Sequence, residues 1–254
     1  MASKTIKSEN SKLVIAISSR ALFDLDHSHK IFKEEGIEAY ARHQQENEHV
    51  VLEPGVGFTL VKKLLKLNSK KTPIDVILLS RNSADTGLRI FNSIEHYGLN
   101  ISRAAFTRGE STHPFVGAFE ADLFLSSNYN DVQKALQSGY AAASIVESKS
   151  KNSHPSQLRI AFDGDAVIFS DEAERIFQEK GLEAFHENEV LSEKIELKAG
   201  PFKSFLVSLQ KIQSTFPEED NPIRTALVTA RSAPSHKRVI HPMREWGIRI
   251  AESF

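Results

Sequence analysis

A chain of 254 residues, 40% hydrophobic and 26% charged, has material for one large or two ordinary globular domains and none of the low hydrophobicity of disordered chains. Its formal net charge of −1, with Lys and Arg scattered, offers no basic field for polymeric nucleic acid, and the absence of cysteine excludes disulfides, zinc-thiolate sites and thiol nucleophiles. The polar start MASKTIKSENSK and the lack of any apolar run near the ~18 residues of a membrane span predict no membrane partner and a cytoplasmic location.

In chain order, the branched apolar run Leu13–Ile17 reads as a strand buried on both faces. Amphipathic helical stretches follow, then further buried runs at Ile74–Leu79, Ile101–Phe106, Asp122–Leu125 and Ala141–Val146. Strands alternating with helices predict a five-strand, doubly wound parallel sheet. The polar, aperiodic ESKSKNSHPSQ at 147–157 reads as a linker region, the linker set at 149–157 between domains at 1–148 and 158–254.

The second half repeats the first. KIFKEEGIEAY from Lys30 returns as RIFQEKGLEAF from Arg175. Ser18 aligns with Asp163, Gly36 with Gly181 and Gly55 with Gly200, a gap-free offset of 145 (163 less 18). Leu158–Phe162 is therefore the first strand of a second unit and Thr225–Val228 its second. The offset there is 149 (229 less 80), the extra residues falling near Phe216–Pro222. The second copy is expected to stop after its third strand, at Phe254. The fold class expected is thus α/β, built of two duplicated parallel-sheet units of which the second is incomplete.

Reactive groups of an open parallel sheet sit beyond the carboxyl ends of its strands. Phe162-Asp163-Gly164-Asp165 falls there. Two carboxylates two residues apart can divide phosphoryl transfer, one attacking phosphorus and one handling the leaving-group proton. Gly164 lets backbone approach a phosphate, and carboxylate oxygens suit a hard cation. At the end of the next strand Thr229, Ala230, Arg231 and Ser232 offer a hydroxyl and backbone amides for phosphate oxygens. The plain alternative for a strand-ending Asp-x-Asp is a turn or helix cap.

LRIAFDGDAVIFSDEAERI from Leu158, IRTALVTARSA from Ile223 and ISSRALFDLD from Ile17 together resemble the cytosolic 5′-nucleotidase I family, of the haloacid-dehalogenase-like superfamily, over almost the whole chain. The resemblance implies Mg²⁺-dependent hydrolysis of nucleoside 5′-monophosphates such as AMP. It makes Asp163 the nucleophile that becomes an aspartyl phosphate and Asp165 the acid and base. The Asp163 carboxylate and Asp165 main-chain carbonyl would ligate Mg²⁺, with Gly164, Thr229 and Ala230 holding the phosphoryl group.

The superfamily's lysine and second acidic pair are expected beyond Phe254. In the first copy the corresponding places hold Thr112 and Ser126-Ser127, while Ser18 and Arg20 stand where Asp163 and Asp165 stand in the second. The first copy is expected to be catalytically empty. A chain lacking those groups also leaves open a non-catalytic reading, in which it binds nucleotide, phosphate or a protein partner. An exposed first strand in the second copy would favour a homo-oligomer formed through that edge. His27 and His29 are expected to mark a solvated helix start rather than a metal site, and no nucleophile elbow is present.

Overall fold

The structure is a computed structural model describing residues 12–146, 154, 156–170, 172, 175–176, 178–181, 183, 192, 197–229, 237–250 and 252–253. The chain forms two compact units, 1–152 and 153–254.

In the first unit β1 (Leu13–Ser18) occupies the middle of a five-stranded parallel sheet. β2 (Ile74–Ser80) and β3 (Arg103–Phe106) lie on one side of it, β4 (Leu123–Ser126) and β5 (Ala142–Ser144) on the other, in the order β3-β2-β1-β4-β5. The α/β class with a parallel sheet is therefore what the alternating apolar runs specify. Residues Leu13 to Ile17 are all buried, as required of a central strand covered on both faces. The third strand is shorter than its apolar run: Ile101 and Ser102 lead into it without pairing.

The connections are helical: α1 (Ser19–Leu22), α2 (Asp26–Glu46), α3 (Phe58–Lys66), α4 (Leu88–His96), α5 (His113–Ala118) and α6 (Tyr129–Gln137). Val14, Ala16, Ile77, Leu79 and Phe124 pack with Val116, Val132 and Ala135 from the last two helices. A buried carboxylate sets the start of the β1–β4 pairing. Asp122 accepts the Val14 amide at 2.9 Å and returns its own amide to the Val14 carbonyl at 2.8 Å.

The second unit contains β6 (Leu158–Asp163), α7 (Lys203–Gln213), β7 (Ile223–Val228), α8 (Lys237–Glu245) and β8 (Glu252–Ser253), the strands parallel in the order β6-β7-β8. Among the described residues β6 pairs with β7 alone. Leu158 lies opposite Ile223 and Asp163 opposite Val228, as Leu13 lies opposite Ile74 and Ser18 opposite Leu79 in the first unit.

One feature of the sequence offset does not hold locally. After β1 the chain makes the four-residue turn α1 and bridges Phe23 to Pro54; after β6 it makes a five-residue π turn, Gly164–Ile168, and bridges Phe169 to Ala199. The extra residue is absorbed as a π-type i→i+5 turn, closed by the Phe169 amide on the Gly164 carbonyl at 3.1 Å. Periodicity cannot register this, because both turns end on a buried Phe.

At the carboxyl edge of the first sheet, buried Asp131 draws three elements together. It accepts two bonds from Arg81, at 2.7 and 3.0 Å, and one each from Ser111 at 2.5 Å and Thr112 at 3.3 Å. Burial alone would raise its pKa, but the bonds from Arg81, Ser111 and Thr112 and the Arg81 charge outweigh it and hold the carboxyl below its ordinary value. A depressed folded pKa stabilises the fold above the ordinary carboxylate value of about 3.9 and ceases to do so as pH falls through the folded value. Replacing Asp131 with Ala removes the acceptor of all four bonds and is expected to cost about 3 kcal/mol, measured by urea unfolding at pH 7; the difference from the parent should shrink as pH drops below 4.

Candidate active site at the carboxyl ends of β6 and β7

The last residue of β6 is Asp163. Phe162 before it is buried and packs on Phe205, ring centroids 6.0 Å apart, so strand alternation turns Asp163 outward, where it is exposed. Because Asp163 is level with Val228 across the β6–β7 ladder, the residues that follow, Gly164 and Thr229, are brought side by side.

Gly164 is buried, and a Cβ built on it would lie 3.4 Å from the Thr229 Cβ and 3.6 Å from its hydroxyl oxygen. The threonine hydroxyl thus stands against the backbone that links the two acidic positions. Asp165 is the second residue of the π turn; its side chain lies outside the described residues, as do Ala230, Arg231 and Ser232. Of the expected site residues the structure brings together Asp163, Gly164 and Thr229. Among the described residues no group of three His, Asp or Glu side chains is gathered to hold a metal.

Behind the turn, Gly200 is pressed against it. Its amide donates to the Ile168 carbonyl at 2.8 Å, and a Cβ there would meet the Phe169 and Val167 carbonyl oxygens at 2.5 and 2.6 Å. The sequence showed this glycine only as the partner of Gly55, which fills the same role against Ala21 and Phe23.

The strand ends of the first unit are arranged differently. The Ser18 hydroxyl accepts the Ser127 amide at 3.3 Å, the Ser19 and Ser80 hydroxyls bond each other at 3.0 Å, and Ser126 accepts the Asn128 amide at 3.0 Å. Arg20 pairs with Asp26 at 2.8 Å, while Thr112 belongs to the Asp131 cluster. None of the positions matching the acidic pair supplies a carboxylate. Asp131 itself gave no sequence signal, because one Asp in a helical first turn reads as a cap-region acid. His27 stacks edge-on to His43 at 5.3 Å, a ring contact within the α2 region.

Parallel sheets joined by helices define an α/β protein, and Asp163 closing the first strand of the second unit, with Thr229 just past the end of the next, sets an acid and a hydroxyl at the carboxyl edge where open parallel sheets bind ligands. The family profile for 5′-nucleotidases matches residues 5–254, and the chain belongs to the 5′-nucleotidase family. It is 39% identical over 255 residues to human cytosolic 5′-nucleotidase 1B, a match covering 95% of this chain and 42% of that protein. No solved structure matches. No helix among the described residues is long and apolar enough to cross a membrane.

Gly200→Ala is expected to destabilise the second unit by about 1–3 kcal/mol, since the atoms opposing the new methyl are backbone carbonyls that cannot swing aside. Denaturant unfolding of the variant checks this; a midpoint unchanged from the parent would contradict the close approach.

Proposed function

We propose that the chain carries the nucleophile-bearing part of a 5′-nucleotidase that hydrolyses nucleoside 5′-monophosphates, AMP-like, to nucleoside and phosphate. The observation that carries the reading is the β6–β7 register, which sets the exposed Asp163 and the half-buried Thr229 around Gly164 at the strand ends. Family membership and the similarity to a cytosolic 5′-nucleotidase support it.

In this reading the Asp163 carboxylate attacks phosphorus while the bond to the ester oxygen breaks, and Asp165 protonates that oxygen. Water then attacks the aspartyl phosphate, Asp165 takes its proton, and Asp163 is restored. The Thr229 hydroxyl and the amides about Gly164 and Ala230 hold the phosphoryl oxygens as their charge redistributes.

Mg²⁺ fits the chemistry of the donors at the site. An exposed carboxylate and a main-chain carbonyl are hard oxygen ligands, and Mg²⁺ is commonly held by one or two carboxylates with water completing its shell. Asp163 and the Asp165 carbonyl would hold it, and it would supply charge neutralisation at the phosphoryl group.

The two units are read as copies of one haloacid-dehalogenase-like ancestor, at 1–148 and 158–254 about a linker at 149–157. The matching registers of their first two strands and the paired bridges after them support this. The first copy is read as catalytically empty, since serines and Arg20 occupy its strand ends. The cytoplasm is the proposed location, and association of two copies through β6 would satisfy backbone groups that β7 leaves unpaired.

The test is phosphate release from AMP with Mg²⁺. Asp163→Asn keeps the shape but removes the nucleophile, and is expected to lower kcat to less than about a thousandth of the parent. Release at the parental rate by the variant would overturn the assignment of Asp163; AMP binding without release from the parent would leave a binding protein.

A further inference from the structure

In the first unit α2 is a helical hairpin. Gly36, at φ 86° and ψ −175°, breaks it into arms at 26–35 and 37–46, a backbone setting that glycine takes readily and other residues do not. A continuous helix would hold His27 and His43 about 24 Å apart. Their ring centroids are instead 5.3 Å apart, and those of Phe32 and Tyr40 6.0 Å, so the second arm folds back on the first.

The second arm is tied to the segment that follows β2. The Tyr40 hydroxyl donates to Asn82 Oδ1 at 2.8 Å and accepts from Gln44 Nε2 at 2.9 Å, and Gln45 Nε2 donates to Asp85 Oδ2 at 2.6 Å. Buried Arg89 of α4 donates to Gln44 Oε1 at 3.2 Å and to the Val50 carbonyl at 2.9 Å, which fixes its guanidinium. These bonds hold the arm against the loop at the carboxyl edge of the first sheet, the edge at which open parallel sheets bind ligands.

His43, on the same arm, is set where a second proton is not answered. Its Nε2 is buried and has no hydrogen-bond partner. Its Nδ1 faces the Asn47 amide nitrogen at 3.3 Å, and that nitrogen is a donor, already bonded to the His43 carbonyl at 2.8 Å. An imidazolium presents two N–H groups, each needing an acceptor. Around the ring stand Arg89 from α4 and His27 from the first arm, opposed by Glu46 and Glu35 of α2 itself. Burial, with Arg89 and His27, outweighs the two glutamates and holds His43 below the ordinary histidine value. On the first arm His29 is likewise held down, by burial and by Arg20 and Lys33 against Asp26.

We propose that α2 is an acid-released latch: a proton on His43 frees the second arm from the segment between β2 and α4 and uncovers Asn82. In the closed arm the imidazolium is buried without an acceptor, beside a guanidinium whose own bonds keep it from withdrawing; the open arm gives the imidazolium water. With the helix already broken at Gly36, the second arm can leave without unwinding the first. A closed-form pKa below the ordinary one means that the open form binds the proton more readily. Closure is therefore fully stabilised above about 6.5 and weakens as pH falls through that value toward the closed-form one.

The experiment is hydrogen exchange of the whole chain, read by mass spectrometry at pH 7.5 and 5.5 and corrected for the intrinsic pH dependence of exchange; both values lie above the carboxylate range. Protection of residues 37–46 in the parent is expected to fall about three- to tenfold at pH 5.5, one proton giving at most about tenfold over this window, while β1 and β2 keep theirs. His43→Phe keeps a ring that takes no proton and should hold its protection within about twofold between the two pH values. His43→Gln stands in if the Phe variant does not fold. His29→Gln should leave the loss in the second arm in place. The inference is overturned if the parent shows no loss, if the loss spreads equally to β1 and β2, if it persists in the His43 variant, or if it vanishes in His29→Gln.

Discussion

The in-register pairing of β6 with β7 is the constraint on which the candidate site depends. Parallel strands are joined by evenly spaced hydrogen bonds, so once Leu158 is level with Ile223 every later pair is fixed, down to Asp163 with Val228. A slip of one residue would turn Phe162 outward and carry Asp163 toward the face that now packs on Phe205. The burial of Leu158 and Phe162 on one side and of Ile223, Thr225 and Leu227 on the other holds the register against that slip. The chemistry at the strand ends is therefore positioned by apolar packing several residues earlier in the chain.

What the two units do with the same architecture differs in how polar groups at the strand ends are satisfied. In the first unit Ser18, Ser19, Ser80 and Ser126 bond one another or nearby amides, and Arg81 is tied to Asp131. Buried polar groups that answer each other rigidify a fold and leave little to offer a ligand. In the second unit Asp163 is exposed at the strand end and the Ser170 hydroxyl is buried without a partner. A buried hydroxyl left in that condition costs stability.

The π turn connects these two aspects. Five residues in place of four let the chain leave Asp163, rise over Gly164 and still return a buried Phe to the core and a bridge to the segment before α7. Gly200 permits the return, since no side chain larger than hydrogen fits between it and the carbonyls of Val167 and Phe169. Tight backbone packing against the end of the π turn limits the motion of the chain that follows Asp163, as the proposed phosphoryl transfer would require.

The sequence by itself determined the strands and the order of chemistry along them. Continuous branched runs such as Leu13–Ile17 can be buried only between two layers, and an acidic pair directly after such a run must emerge at a sheet's carboxyl edge. The length and composition of the match around Asp163 and Thr229 carried the family. Tertiary structure decided what no local pattern encodes: that the offset between the halves slips by one at the π turn, that Asp131 gathers Arg81, Ser111 and Thr112 across up to 50 positions of sequence, and that the Ser170 hydroxyl is buried without an answer. Each of these depends on which atoms meet after the chain has closed on itself. Hydrogen-bond satisfaction is a property of three-dimensional neighbours, whereas periodicity reports only the direction in which each side chain leaves its own strand or helix.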